Sequence, residues 1–93
     1  MPIFMVERQF AEALAISREE ADRINLINDE EGVRWFRSFL SADLRKTFCL
    51  YEAPSADHIR RAAERAGIPA DKIEELTGMV EPHGVIVALQ QPV

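Results

Sequence analysis

The stretch from Val33 to Ala66 constrains the fold of this chain more than any other part of the sequence. It predicts a strand over residues 33–41, a turn over 42–45, a return strand over 46–53 and a helix capped by Ser55. Both strands are rich in the aromatic and β-branched residues that sheets favour, and Pro54 ends the second strand. The helix places its apolar residues on one face, at Ile59, Ala62, Ala63 and Ala66. This stretch therefore predicts a hairpin with a helix packed closely on its sheet.

The residues before this stretch predict a first strand and a first helix. Residues 3–10 predict a strand, with four successive apolar residues followed by Glu7, Arg8, Gln9 and Phe10. Ser17 and Glu20 form a capping box, in which each side chain accepts a hydrogen bond from a free backbone N–H group at the start of a helix. Gly32 suits the left-handed conformation that ends a helix. We therefore expect a helix between Ser17 and Gly32.

The C-terminal part completes the order of elements. We expect a fourth strand over residues 73–80 and, after a turn containing Pro and Gly, an added edge strand over 85–90. The order β-α-β-β-α-β is that of the ferredoxin-like fold, an antiparallel sheet with two helices on one face. The sequence thus predicts an α+β ferredoxin-like domain over 1–81. Residues 82–93 are predicted to be a C-terminal strand or tail that packs on the same domain or on a dimer partner.

The predicted strands carry apolar residues on both faces of the sheet. In the first strand, Phe4, Val6 and Phe10 alternate with Ile3 and Met5. Two helices cover only one face, and the other would leave a large aromatic patch in water, which soluble monomers rarely tolerate. The sequence therefore predicts a homodimer packed through the uncovered sheet faces, of the dimeric α/β barrel type.

The composition limits the classes of partner and the cellular compartment that we expect for this protein. The chain has 93 residues, which predicts one domain, and a net charge of −5 with its basic residues interleaved among acids. Nucleic acid is not expected as a partner, because binding phosphates needs clustered positive charge. One cysteine excludes an intramolecular disulfide and fits a reducing compartment. No apolar run is long enough to span a bilayer, so we expect a cytoplasmic protein with no membrane partner.

A ligand pocket is one interpretation of the residues on the predicted hairpin. If Trp35, Arg37, Cys49 and Tyr51 share a face, and Glu7 lies on the neighbouring strand, polar groups meet among aromatic walls. That composition is typical of small-molecule sites. The alternative is a dimer interface, in which Tyr, Trp and Arg are equally common.

The length of the hairpin turn decides which residues share that face. With three residues in the turn, Trp35 lies beside Tyr51. With two or four, the pairing changes parity and Trp35 faces Glu52 instead. Both registers are open from the sequence.

Glu7 and His58 are the candidate metal ligands. Glu7 follows an apolar strand start. It is interpreted either as a buried ligand or base, or as a strand-end carboxylate paired with Arg8, Arg34 or Arg37. His58 stands near the start of the second helix, where a surface position is the alternative. The spacing of the two histidines and one cysteine matches no recognised metal motif. Cys49 lies mid-strand and is expected to be a small buried residue, so we assign no catalytic residue.

Three segments resemble a widespread bacterial family of small ferredoxin-like proteins with a domain of unknown function, one branch of which is described as nickel-binding. They are Phe4–Arg8, Gly32–Trp35 and, most specifically, Lys46–Ser55 with the sequence KTFCLYEAPS. The resemblance covers about residues 3–76. It implies a dimer of ferredoxin-like units and nickel as a metal to test. The nickel-binding branch carries histidines in its first strand, and this chain has none there.

Three functions are therefore open from the sequence. The first is a homodimeric binding protein, not an enzyme, that holds a divalent metal such as nickel or a small ligand at the uncovered sheet face. The second is a small enzyme of the dimeric α/β barrel type, an oxygenase or isomerase, with Glu7 or Tyr51 as acid or base. The third is an assembly module without a ligand. The fold alone favours none of them, because it hosts many functions.

Overall fold

The structure is a computed structural model, and it describes residues 1–89. Six strands and two helices follow one another along this part of the chain. They are β1 (Ile3–Gln9), α1 (Arg18–Glu30), β2 (Arg34–Leu40), β3 (Lys46–Glu52), α2 (Ala56–Ala66), β4 (Lys72–Leu76), β5 (Gly78–Val80) and β6 (Ile86–Ala88). No helix within residues 1–89 is long and apolar enough to cross a membrane.

Four of the strands form one antiparallel sheet in the order β2-β3-β1-β4. The two helices pack on one side of it, so the molecule is a mixed α and β fold that is compatible with the predicted ferredoxin-like unit. We call the side of the sheet that faces the helices the covered face and the other side the open face. The covered face carries Phe4, Val6, Arg8, Trp35, Ser38, Leu40, Thr47, Cys49 and Tyr51. The open face carries Met5, Glu7, Phe36, Arg37, Phe39, Phe48 and Leu50.

Both helices begin and end at the predicted positions, but the predicted cap at Ser55 is not made: its side chain accepts no backbone N–H of α2 and lies beside His58 Nδ1 instead. The Ser17 side chain accepts a hydrogen bond from the backbone N–H of Glu20, at 3.1 Å. Gly67 ends α2 in the left-handed region, with φ of 71°. The predicted apolar residues of α2 are all buried, and Ile59, Ala62 and Ala66 share one core cluster with Ile24 and Ile27 of α1. Local sequence signals therefore account for the helices that cover this side of the sheet.

The β2–β3 hairpin reaches its register by two compensating irregularities. Four residues, 42–45, separate the hydrogen-bonded Ser41 and Lys46, and by parity this loop would turn Trp35 towards Glu52. A β-bulge between Trp35 and Arg37 inserts one extra residue and restores Trp35 to its place opposite Tyr51. The Trp35–Tyr51 pairing is thus the one predicted for a three-residue turn, although the turn itself is longer.

The C-terminal strands do not extend the main sheet, and this corrects the prediction. The fourth strand ends at Leu76, four residues earlier than predicted, and β5 pairs only with β6 in a separate two-stranded sheet. The Pro82–Gly84 turn folds the chain back on itself, so the edge-strand residues bond to their own neighbours. The predicted boundary after residue 81 falls inside this hairpin. The predicted edge strand ends at residue 90, and residues 90–93 lie outside those described.

Candidate functional site

A cavity of about 190 Å³ lies between the covered face and the first helix; we call it the helix-side cavity. Its floor comes from β1, β2 and β3, and its walls from the connector before α1, from α1 and from the segment after α2. The lining is mostly apolar and consists of Arg8, Phe10, Leu14, Ile16, Glu20, Ile24, Trp35, Ser38, Leu40, Thr47, Cys49, Tyr51 and Ile68. Two backbone hydrogen bonds hold the connector against the hairpin loop: the N–H of Phe10 donates to the carbonyl of Arg45, and the N–H of Leu14 donates to the carbonyl of Leu44.

Arg8 is the charged group in the floor of this cavity. It is only 4% exposed, because the alternation of β1 turns it to the same side as Phe4 and Val6. Its guanidinium donates to the backbone carbonyl of Pro69 and, at 3.0 Å, to the hydroxyl of Tyr51. It also lies 5.6 Å from the centre of the Tyr51 ring. The side chain is therefore held at two points, and neither holding group carries a negative charge.

Tyr51 contributes a buried, protonated hydroxyl beside Arg8. Burial raises the pKa of the Tyr51 phenol above its ordinary value of 10.0, and the nearby charge of Arg8 opposes this more weakly. At neutral pH the phenol is therefore uncharged and keeps its hydrogen. Because its oxygen accepts from Arg8, the O–H is left to donate elsewhere.

The other polar groups of the floor are paired with one another. The indole N–H of Trp35 donates to the hydroxyl of Ser38 at 3.0 Å, and the thiol of Cys49 donates to the hydroxyl of Thr47 at 3.4 Å. Cys49 is 3% exposed, in agreement with the prediction of a buried residue. With these groups paired, Arg8 and Tyr51 are the polar groups of the floor that remain available to a ligand, while the charged Glu20 lies exposed at the edge of the cavity.

The open face differs in both exposure and charge. Phe36, Phe39 and Phe48 are 41%, 54% and 37% exposed. Glu7 forms an ion pair with Lys46 at 2.9 Å, and this hydrogen bond raises the pKa of Lys46. The predicted pairing of Glu7 with an arginine is therefore replaced by one with a lysine. The result is an aromatic surface with a charge pair at its edge.

The structure divides the predicted ligand pocket between these two faces. Trp35, Cys49 and Tyr51 line the helix-side cavity, whereas Glu7 and Arg37 lie on the open face. Glu7 follows the alternation of β1, and the bulge in β2 moves Arg37 away from the face of Trp35. Glu7 and Tyr51, the two predicted acid or base groups, consequently do not share one site within a chain.

The two predicted metal ligands also have other partners. His58 lies at the start of α2, where its Nδ1 is 2.8 Å from the hydroxyl of Ser55, while Glu7 pairs with Lys46 across the sheet. Within residues 1–89 no group of three or more His, Cys, Asp or Glu side chains is placed to hold a metal.

Arg8 is the site residue that the sequence reasoning missed, since it was considered only as a partner for Glu7. The signal was present in the alternation of the first strand, where Arg8 follows Phe4 and Val6 at intervals of two. A charged residue in the apolar phase of a central strand indicates a buried cation. Such a position is uncommon without a function or a partner.

These features define a small two-helix, antiparallel-sheet protein with an apolar cavity and a buried cation. The family model described as "Nickel responsive protein SCO4226-like" matches residues 4–76, so this chain belongs to that family. A solved structure, that of SCO4226 from Streptomyces coelicolor A3(2), is similar with a TM-score of 0.61 and 26% sequence identity. The match covers 80% of this chain and 94% of the Streptomyces chain. No curated protein matches.

The family assignment confirms the resemblance drawn from the first, second and third strands. The matched region, residues 4–76, agrees closely with the predicted 3–76. It ends at the last residue of β4 and leaves out the β5–β6 hairpin. The hairpin is therefore an addition to the part of the fold that this chain shares with its family.

Proposed function

We propose that this protein is a homodimeric binding protein whose two chains pack through their open faces, in the manner of a dimeric α/β barrel built on ferredoxin-like units. The exposed aromatic side chains of Phe36, Phe39 and Phe48 are the observation that carries the proposal. Burying such a surface is favourable by about 25 cal/mol for each Å². Soluble monomers rarely leave a contiguous patch of this kind in water.

The C-terminal hairpin supports the same assembly. Val80 and Ile86 are 75% and 72% exposed although they are apolar, and β5 and β6 make no ladder with the main sheet. We propose that this hairpin reaches the partner chain, where its apolar side chains are removed from water.

Nickel is the ligand that the family description favours, and we propose that it binds between the two chains. One copy has no complete metal site within residues 1–89, so a second copy would have to complete it. Glu7 is the proposed ligand, because its carboxylate is on the open face and two copies of it would approach across the interface. Nickel would have to displace Lys46 from Glu7 in order to bind there.

Sedimentation and calorimetry on tag-free protein test the assembly and the metal separately. We expect a dimer at micromolar concentration and saturable heats of Ni²⁺ binding at a fixed ratio per chain. Phe39→Ser should shift the protein to a monomer, whereas Leu26→Ser, which alters an exposed residue of α1, should not.

The metal assignment has its own variants. Glu7→Gln should abolish Ni²⁺ binding and keep the dimer, and Glu12→Gln, in the exposed connector before α1, should change neither. A monomer at all concentrations would contradict the proposed assembly. A clean dimer with no heat of Ni²⁺ binding would contradict the metal and leave an assembly module without nickel.

A further inference from the structure

We propose that the helix-side cavity binds a small monocarboxylic acid with an apolar body, its carboxylate held by the guanidinium of Arg8 and the hydroxyl of Tyr51. The proposal concerns the covered face and does not depend on the dimer or on nickel.

The charge of Arg8 is the first reason. A buried cation is costly unless it is paired and hydrogen-bonded. Within residues 1–89 the guanidinium has no carboxylate within 4.0 Å, and its two hydrogen-bond partners, Pro69 and Tyr51, are both neutral. Those bonds use two of its five N–H groups. An anion in the adjoining cavity would supply the missing negative charge.

The hydrogen bonding of Tyr51 is the second reason. Its oxygen accepts from Arg8 at 3.0 Å, which orients the phenol beside the guanidinium. Its O–H hydrogen has no acceptor among the described residues and is free to donate. A guanidinium and a phenol side by side present donors only, and a carboxylate is a group that accepts only.

The size and walls of the cavity define the rest of the ligand. A cavity of about 150 Å³ accommodates benzene, and this one has about 190 Å³. The volume therefore fits a ring or a short branched chain with one carboxylate. Phe10, Leu14, Ile24 and Trp35 supply walls that favour an apolar body.

The mouth of the cavity limits the charge of the ligand to one. Glu20 lies in the lining and is exposed, as are Ile16 and Leu40. A second carboxylate pointing outward would approach the like charge of Glu20, and repulsion between like charges is unfavourable. The cavity is therefore suited to a monocarboxylate rather than a dicarboxylate.

A pair of isosteric probes tests the proposal on the unaltered protein. Benzoate and benzamide have the same shape, but only benzoate is an anion. We expect benzoate to bind at least about ten times more tightly than benzamide, since a hydrogen bond to a charged group is the stronger kind. Trp35 is the one tryptophan in the chain and lies in the cavity wall, so its fluorescence reports the site directly. Equal binding of the two probes, or no binding of benzoate at millimolar concentration, would overturn the proposal.

Variants locate the charge that binds the probe. Arg8→Met should weaken benzoate binding about ten-fold or more and leave benzamide nearly unchanged. Tyr51→Phe, which removes the hydroxyl alone, should weaken benzoate less. Arg60→Met is the matched control, because Arg60 is an exposed arginine of α2 that pairs with Asp57. Circular dichroism checks each variant for folding, and if Arg8→Met does not fold, the probe pair and Tyr51→Phe decide. Unchanged benzoate affinity in a folded Arg8→Met would refute the assignment.

Discussion

The two faces of the main sheet are built from alternate residues of the same strands, yet only one of them is buried by the helices of its own chain. On the covered face, Phe4 and Val6 are buried by the helices of their own chain. On the open face, Phe39 and Phe48 stay exposed, because no element within residues 1–89 covers them. The comparison teaches that apolar residues at successive strand positions specify a sheet with two hydrophobic faces, while the number of helices decides how many faces one chain can bury.

The faces also differ in how they treat charge. Arg8 on the covered face is buried with neutral partners, whereas Glu7, its neighbour on the open face, pairs with Lys46 near solvent. A cation without an anion in a low-dielectric cavity attracts a ligand strongly, and an exposed ion pair does so weakly. We therefore propose ligand binding at the covered face and assembly through the open face.

The largest expected effect comes from making the same substitution on each face. Phe4→Ala should lower the free energy of unfolding by about 3–5 kcal/mol, since it leaves a cavity in the core. In dilute protein, where mass action favours the monomer, Phe39→Ala should change it by within about 0.5 kcal/mol. Urea denaturation of both variants measures the difference. Equal losses in dilute protein would mean that the open face is packed within its own chain.

Deleting Phe36 should produce the next largest effect on stability and tests the role of the bulge. The deletion removes the extra residue of β2, so Arg37 follows Trp35 directly and a regular ladder keeps Trp35 opposite Tyr51. Trp35 should therefore stay on the covered face and its emission should not shift, while the free energy of unfolding should fall by about 1 kcal/mol, the usual size for a single change. Urea denaturation followed by the Trp35 emission measures both. A red shift of the emission in the folded protein would show that the deletion moves Trp35 to the open face, and would argue against this account of the bulge.

The ion pairs that join Glu31, after α1, to Arg61 and Arg65 of α2 should have a smaller effect on stability, and this effect depends on pH. Glu31 pairs with Arg65 at 2.9 Å and Arg61 at 3.2 Å, and hydrogen bonds from these guanidinium groups lower its pKa below the ordinary 4.5. A lowered pKa in the folded state stabilises the protein above pH 4.5, and this stabilisation is lost as the pH falls through the folded value. Glu31→Gln should therefore be less stable than the unaltered chain at pH 7 and match it in strong acid.

Urea melts of Glu31→Gln across that pH range make the measurement, with Glu12→Gln as the control. If Glu31→Gln remains less stable than the unaltered chain by the same amount in strong acid, Glu31 stabilises the protein through packing instead of charge.

The smallest expected effect is a shift in the titration of Tyr51, which reports how far the covered face excludes water. Tyr51 is the one tyrosine in the chain, so its ultraviolet absorbance follows a single phenol. Because burial raises its pKa, ionisation in the folded protein should begin only above the ordinary value of 10.0. In urea it should occur near that value. Stability should fall as the pH rises above 10, since the unfolded chain loses the proton first. A folded-state titration that coincides with the unfolded one would place Tyr51 in water.

Much of the fold could be predicted because its signals are local. The cap at Ser17, the left-handed Gly67 and the apolar stripe of α2 each depend on residues within a few positions of one another. The site was harder to predict, because it depends on the register of the β2–β3 hairpin, which decides which residues share a face. A four-residue loop and a bulge cancel each other in β2, and neither is visible in the residue types alone. The predicted site therefore contained Trp35 and Tyr51 correctly paired, but it grouped them with Arg37 from the other face.

The sequence by itself determined the kinds of element and their order as far as β4, and it indicated the family, since these follow from periodicity and short motifs. Tertiary structure alone decided which residues meet. The tertiary structure places Arg8 in the floor of a cavity beside Tyr51, and it separates Glu7 from His58. It also folded β6 onto β5 instead of onto the sheet. The physical reason is that pairings between distant segments depend on register and on competition for backbone hydrogen bonds, which no local pattern records.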